Sequence, residues 1–121
     1  MAAKAFVISD THFGHANSAP IMGRWFTPEL QGLRGSVLSM TPAVGGCHGK
    51  VIWADADAKA EVLRLHDNHL IECWNSVVGV DDICVCVGDF SLKDPRPYLE
   101  RLNGHIILVR GNHDSESRLR Q

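Results

Sequence analysis

Three short apolar runs punctuate the chain: Ala5-Phe6-Val7-Ile8, Ile83-Cys84-Val85-Cys86-Val87 and Ile106-Ile107-Leu108-Val109. Each is continuous rather than alternating and rich in β-branched residues, as in strands covered on both faces. Between the first two runs, apolar positions recur at helical spacing from about Ala58 to Val77, with Val62, His66, Leu70, Cys73 or Trp74, and Val77 along one stripe. Asp57 is expected to cap this helix, Glu61 to suit its first turn and Gly79 to end it. A shorter helix is expected over Pro97 to Leu102, stopped by Asn103-Gly104. Strand–helix–strand order implies an α/β fold with a mostly parallel sheet and flanking helices.

The stretch from Phe13 to Ala54 breaks this pattern. It holds three of the five prolines (Pro20, Pro28 and Pro42) together with Gly45-Gly46 and Gly49. It reads as a long, partly irregular excursion with a hairpin near Val51-Ile52-Trp53. The whole is one domain's worth of chain, 121 residues with 45% apolar and 21% charged, a balance that permits a buried core. Twelve basic residues against 14 acidic give a net charge of −2, which argues against holding a nucleic-acid backbone by charge alone. The arginines Arg24, Arg34, Arg64, Arg96, Arg101, Arg110, Arg118 and Arg120 are scattered, not gathered in a stripe. No run approaches the roughly 20 apolar residues that span a bilayer. The first apolar run is too short for a secretory leader, so a cytoplasmic protein is expected. The four cysteines then read as reduced thiols, with Cys84 and Cys86 expected on opposite sides of their strand and unable to pair.

Chemistry concentrates where the apolar runs stop. Ser9-Asp10-Thr11-His12 follows the first, Gly88-Asp89 the second, and Arg110-Gly111-Asn112-His113-Asp114 the third. In an open parallel sheet, ligands bind beyond the carboxyl ends of the strands. Asp or Asn at a single strand end is commonly a turn former or a helix cap. Three such clusters in this order call for a shared purpose. Asp10, His12, Asp89 and Asn112 together offer carboxylate, imidazole and amide donors, a set that suits manganese, iron or zinc better than calcium. Two cations about 3.5–4 Å apart polarise a phosphoryl group and activate water. His113 is placed to assist the leaving oxygen, with Asp114 fixing its tautomer.

The order Asp10-Thr11-His12, Gly88-Asp89, Gly111-Asn112-His113-Asp114 resembles the calcineurin-like metallophosphoesterase superfamily. The longer string Ser9 to Asn17, with Trp74-Asn75, Gly88-Asp89-Phe90 and Leu102-Asn103-Gly104, resembles its small bacterial and phage members. The resemblance runs over about residues 5–33 and 58–114, leaving about 34–57 as an insertion. It implies the first half of an αββα sandwich and a hydrolase, a phosphatase or phosphodiesterase, with two divalent metal ions. Carried over residue by residue, Asp10 and His12 hold one metal, Asp89 bridges, and Asn112 holds the second. His113 and Asp114 are then catalytic, and His15 lies close to substrate.

The chain departs from that pattern after Asp114, where seven residues remain and the superfamily's later histidine motifs do not occur. The expectation is therefore a single metallophosphoesterase-like domain, C-terminally truncated. Half a sandwich leaves a sheet face bare, which favours a homodimer covering it. The alternative function is a catalytically incomplete member that acts as a protein-interaction scaffold. The expected partner is a phosphoester substrate, with nucleic acid unsupported by charge and no membrane.

Overall fold

The computed structural model describes residues 3–41, 50–91 and 94–109. Its elements follow in the order β1 (Ala5–Ile8), α1 (Ser18–Ile21), α2 (Pro28–Gln31), a 3-10 turn (Arg34–Ser36), β2 (Val37–Thr41), β3 (Lys50–Trp53), α3 (Ala56–Val77), β4 (Ile83–Val87), α4 (Arg96–Arg101) and β5 (His105–Val109). The fold is mixed α/β. The chain divides into two compact units, Met1–Gly14 with Leu70–Gln121, and His15–His69. No described helix is long and apolar enough to cross a membrane.

The first unit is a three-stranded parallel sheet in the order β1-β4-β5. The central strand is the most apolar, as an interior parallel strand should be. Phe6, Cys84, Cys86, Ile106 and Leu108 pack against Ile71, Trp74 and Val78, and against Tyr98, Leu99 and Leu102. Phe13 and Phe90 close this core, their rings 5.2 Å apart, with Tyr98 stacked on Phe13 at 4.7 Å. Among the described residues the sheet is covered on one face only, contrary to the expectation from its continuous apolar runs. Val7, Ile83, Val87, Ile107 and Val109 remain exposed on the opposite face.

Cys84 and Cys86 are also corrected. Residues two apart in a strand share a face, and both thiols are buried in the core with no disulfide between them. Burial pushes the Cys84 thiol pKa up, opposed by a hydrogen bond from Cys86.

Helix α3 starts two residues before the expected point, because Asp55 rather than Asp57 caps it: the Asp55 carboxylate accepts from the Ala58 N–H at 2.7 Å. Its buried stripe runs through Val62, His66, Ile71, Trp74 and then Val78 beyond the helix end. Cys73 and Val77, placed on the stripe by spacing, are exposed. Over 22 residues the 3.6-residue period drifts away from a fixed face.

The end of α3 is tied to the loop before β5 by polar side chains. Trp74 Nε1 donates to the Asn103 carbonyl at 3.0 Å, and Asn75 Nδ2 to the Arg101 carbonyl at 2.9 Å. The Asn103 N–H returns a bond to Asn75 Oδ1 at 2.8 Å, and Asn103 Nδ2 reaches the Val78 carbonyl at 3.1 Å. Gly104 completes the turn at φ +96°, where a Cβ would sit 2.9 Å from Val78 Cγ1 and 3.0 Å from the Asp82 carbonyl oxygen. Asp82 joins the same corner, accepting from the Lys4 and Gly79 N–H groups, each at 2.8 Å.

In the second unit the expected hairpin is present as β2 and β3, antiparallel, with an irregularity between Val37 and Ser39. Ala19, Leu30 and Val62 form its core, lined by Trp25, Leu33, Trp53 and Leu65. Thr27 caps α2 through Oγ1, which accepts from the Leu30 N–H at 3.2 Å. Trp53 Nε1 donates to Asn17 Oδ1 at 2.8 Å.

Two stability predictions follow from the α3–β5 corner. Gly104→Ala combines a left-handed backbone with a clash against main chain, and should lower unfolding free energy by roughly 1–3 kcal/mol in urea titration. The backbone bonds from Lys4 and Gly79 depress the Asp82 pKa below 3.8 in the folded state. Its stabilising contribution is thus complete above the unfolded pKa and is lost as pH falls through the lower folded value. Asp82→Asn should flatten the acid limb of the urea midpoint between about pH 5 and pH 2, leaving the neutral limb parallel to wild type.

Candidate metal centre

Beyond β1 and β4 the parallel pairing does not stop; the two following loops stay zipped together. The Asp10 N–H donates to the Gly88 carbonyl at 3.2 Å, the His12 N–H to the Asp89 carbonyl at 2.9 Å, and the Phe13 N–H to the Phe90 carbonyl at 2.9 Å. Thr11 Oγ1 adds a bond to the Phe90 carbonyl at 2.7 Å. The ladder ends in a parallel bridge between Phe13 and Ser91.

This zipper imposes an unusual backbone. Asp10, His12 and Asp89 have φ of 57°, 55° and 48°, and they are the non-glycine residues in the left-handed region among those described. Such conformations cost energy for residues with a Cβ and gather where geometry serves function. Here they turn three donors towards one point. One donor atom from each of Asp10, His12 and Asp89 lies within 4.8 Å of the others. His12 Nε2 is 3.5 Å from Asp10 Oδ1 and 4.0 Å from Asp89 Oδ2. The His12 side chain is 5% exposed, Asp89 18% and Asp10 55%, so the cluster is anchored inside and opens to solvent through Asp10.

Electrostatics fit a cation. A hydrogen bond from Ser9 is the main reason the Asp10 pKa is lowered, helped by Asp89 and His12 and opposed by burial. The two carboxylates of this cluster repel one another when both are ionised, and a positive charge between them relieves that repulsion. A mixed oxygen and nitrogen set is the donor chemistry of manganese, iron or zinc.

Of the sequence-predicted residues, Asp10, His12 and Asp89 are brought together. His15 falls in the second unit, half-buried, its carbonyl accepting from Ser18 Oγ at 2.6 Å. Asn112, His113 and Asp114 lie outside the described residues. Ser9 and Thr11 were not singled out by sequence. Their signal was their position flanking Asp10, where a hydroxyl can bond a carboxylate or pin a loop.

A second polar cluster, in the second unit, invites comparison with a nucleophilic triad. His66 is fully buried; its Nδ1 lies 2.9 Å from Asp67 Oδ1, and Ser18 Oγ is 3.3 Å from Nε2. Arg24 Nη1 also meets Nε2, at 3.1 Å. A guanidinium only donates, so Nε2 is an acceptor and Nδ1 carries the hydrogen given to Asp67. Ser18 is fully buried and its hydroxyl donates to the His15 carbonyl. The cluster is a satisfied core network, as expected for a histidine on the apolar stripe.

No known protein-family profile matches the chain. Over 116 residues, 92% of its length, the chain is 33% identical to an uncharacterized protein of Methanocaldococcus jannaschii, of which it covers 47%. Over 100 residues, 74% of its length, it is 32% identical to the Gene 66 protein of Mycobacterium phage D29, of which it covers 39%. The fold is similar to that of a protein of unknown function from Aquifex aeolicus, with a TM-score of 0.53 and 22% identity, over 96% of this chain and 46% of that one. The chain thus spans less than half the length of each of these relatives.

The left-handed placement of Asp10 yields a prediction that separates function from folding. Asp10→Gly removes a backbone cost and a metal donor together. Without metal its melting temperature should equal or exceed that of wild type, a gain of up to about 1 kcal/mol. Its stabilisation by added Mn²⁺ should fall away. A marked loss of stability in metal-free buffer would show that this conformation serves folding instead.

Proposed function

We propose that the chain carries the N-terminal part of a metal-dependent phosphoesterase of the calcineurin-like metallophosphoesterase superfamily, hydrolysing phosphate mono- or diesters. One observation carries this reading: the left-handed non-glycine residues among those described are the same three whose donors converge within 4.8 Å. A strained backbone kept at the C-terminal ends of parallel strands, and used to aim carboxylates and an imidazole at one point, supports a site built for a cation.

A bound divalent ion would supply positive charge to a phosphoryl oxygen and lower the pKa of a bound water. The chain's own residues prepare that position. Asp10 and Asp89 present anionic oxygens; Ser9 favours the ionised form of Asp10. His12, buried and held through its N–H by the Asp89 carbonyl, offers Nε2 from a fixed direction. The exposed side of Asp10 leaves an open approach for a phosphoester. On the superfamily resemblance, Asn112 would offer a neutral oxygen donor to a second ion, and His113, oriented by Asp114, would give a proton to the leaving oxygen. His15 is a substrate-contact residue on the same basis.

A second reading, a protein-interaction scaffold on this fold, is favoured by the bare apolar face of the sheet. Turnover and metal binding distinguish the two. In Mn²⁺ the chain should hydrolyse a chromogenic phosphodiester, with His113→Ala lowering kcat by about 10²–10⁴-fold and leaving Mn²⁺ affinity nearly unchanged. Stoichiometric Mn²⁺ binding with no turnover above that variant would set aside hydrolysis by this chain in favour of the scaffold. Absence of metal binding would remove the phosphoesterase reading altogether.

A further inference from the structure

Thr11 stands between the left-handed residues Asp10 and His12 and is itself outside that region of backbone. It is buried, like His12 beside it. Its hydroxyl donates to the Phe90 carbonyl at 2.7 Å, a bond that spans 79 positions of the chain. The same carbonyl accepts the Phe13 N–H at 2.9 Å. One oxygen of the loop after β4, in the residue next to Asp89, is therefore held by two groups of the loop after β1, one on each side of His12. The backbone rung at Asp10, to the Gly88 carbonyl, is the longest of the ladder at 3.2 Å. The Thr11 bond is shorter than any of the three backbone rungs and comes from a side chain.

We propose that Thr11 is a positioning residue for the metal centre, its hydroxyl setting the separation between the loop that carries Asp10 and His12 and the loop that carries Asp89. The proposal rests on the cation reading of that cluster. Thr11 gives no donor to the cluster itself; it acts through Phe90 on Asp89. A carbonyl oxygen has two lone pairs, so the Phe90 carbonyl keeps the Phe13 N–H when the hydroxyl is taken away, and no buried acceptor is orphaned. The fold thus loses little, while the spacing of the donors loses a constraint.

Distances decide how much that matters. A methyl group meets a carbonyl oxygen at about 3.3 Å or more, so Thr11→Val moves the Phe90 carbonyl away by about half an ångström. Asp89, bonded to Phe90, is carried with it. Metal–donor distances hold to within about 0.2 Å, so a shift of this size takes one carboxylate out of range of an ion kept by the other two donors. Valine keeps the β-branched preference at χ1, whereas serine restores the hydroxyl on a freer rotor.

Calorimetric titration of the metal-free chain with Mn²⁺ is the test, read beside the melting temperature in EDTA. Thr11→Val should weaken Mn²⁺ binding about 10–100-fold and stay folded without metal, and Thr11→Ser should bind within about threefold of wild type. Trp74→Phe is the control. It removes the 3.0 Å bond from Nε1 to the Asn103 carbonyl just before β5, at the opposite end of the strands from the donors. It should lower the melting temperature and leave Mn²⁺ affinity unchanged. If Thr11→Val binds Mn²⁺ as wild type does while Asp89→Ala abolishes binding, the proposal is overturned and the metal centre stands. Absence of Mn²⁺ binding by wild type overturns both. The hydroxyl would be a folding element, and the proposal wrong, on any of three results: Thr11→Ser as weak as Thr11→Val, Trp74→Phe losing affinity in step with its stability, or Thr11→Val unfolded in EDTA.

Discussion

Everything distinctive about this chain depends on hydrogen bonds that continue the β1–β4 pairing past the ends of the strands. Three backbone N–H groups, of Asp10, His12 and Phe13, find carbonyls of Gly88, Asp89 and Phe90. Those bonds satisfy buried main chain that would otherwise be orphaned. The same ladder commits Asp10, His12 and Asp89 to left-handed backbone. The energetic cost is spread over a loop pair anchored by the Phe13, Phe90 and Tyr98 cluster, and the result is a convergent donor set on rigid supports. Position, conformation and chemistry are thus consequences of one structural device.

Much of the architecture was legible because it rests on local pattern. Continuous apolar runs such as Ile83–Val87 can be little other than strands, and the long spacing pattern before them can only be a helix. The three donors were legible for a related reason: strand ends in a parallel sheet face a common edge, so Asp10, His12 and Asp89 were bound to be neighbours once the strands paired. What periodicity missed needed three dimensions. Asp55 outcompetes Asp57 as the α3 cap because its carboxylate reaches the Ala58 N–H, and spacing alone cannot choose between them. The loops after β1 and β4 leave no hydrophobic trace of their zipper. Trp74-Asn75 and Asn103-Gly104 entered the sequence reading as strings shared with a family, the second also as a helix stop. They prove to be a corner, with side-chain bonds standing in for a regular helix cap.

The sheet itself shows the limit of reading burial from composition. A run such as Ile106-Ile107-Leu108-Val109 is apolar on both sides, yet Ile106 and Leu108 pack into the core while Ile107 and Val109 stay exposed. The sequence is written for two covers and the described part of this unit provides one. The loops that carry Asp10, His12 and Asp89 do not depend on a cover for that face, because the zipper is built wholly within the first unit.

The account's central claim is that the left-handed loops exist to hold a cation. Crystals grown with Mn²⁺ and measured at the manganese absorption edge test it directly. The account predicts an anomalous peak within about 2.0–2.4 Å of carboxylate oxygens of Asp10 and Asp89 and of His12 Nε2. An ordered site with those three side chains in place and no peak between them, or a peak elsewhere on the surface, would contradict it.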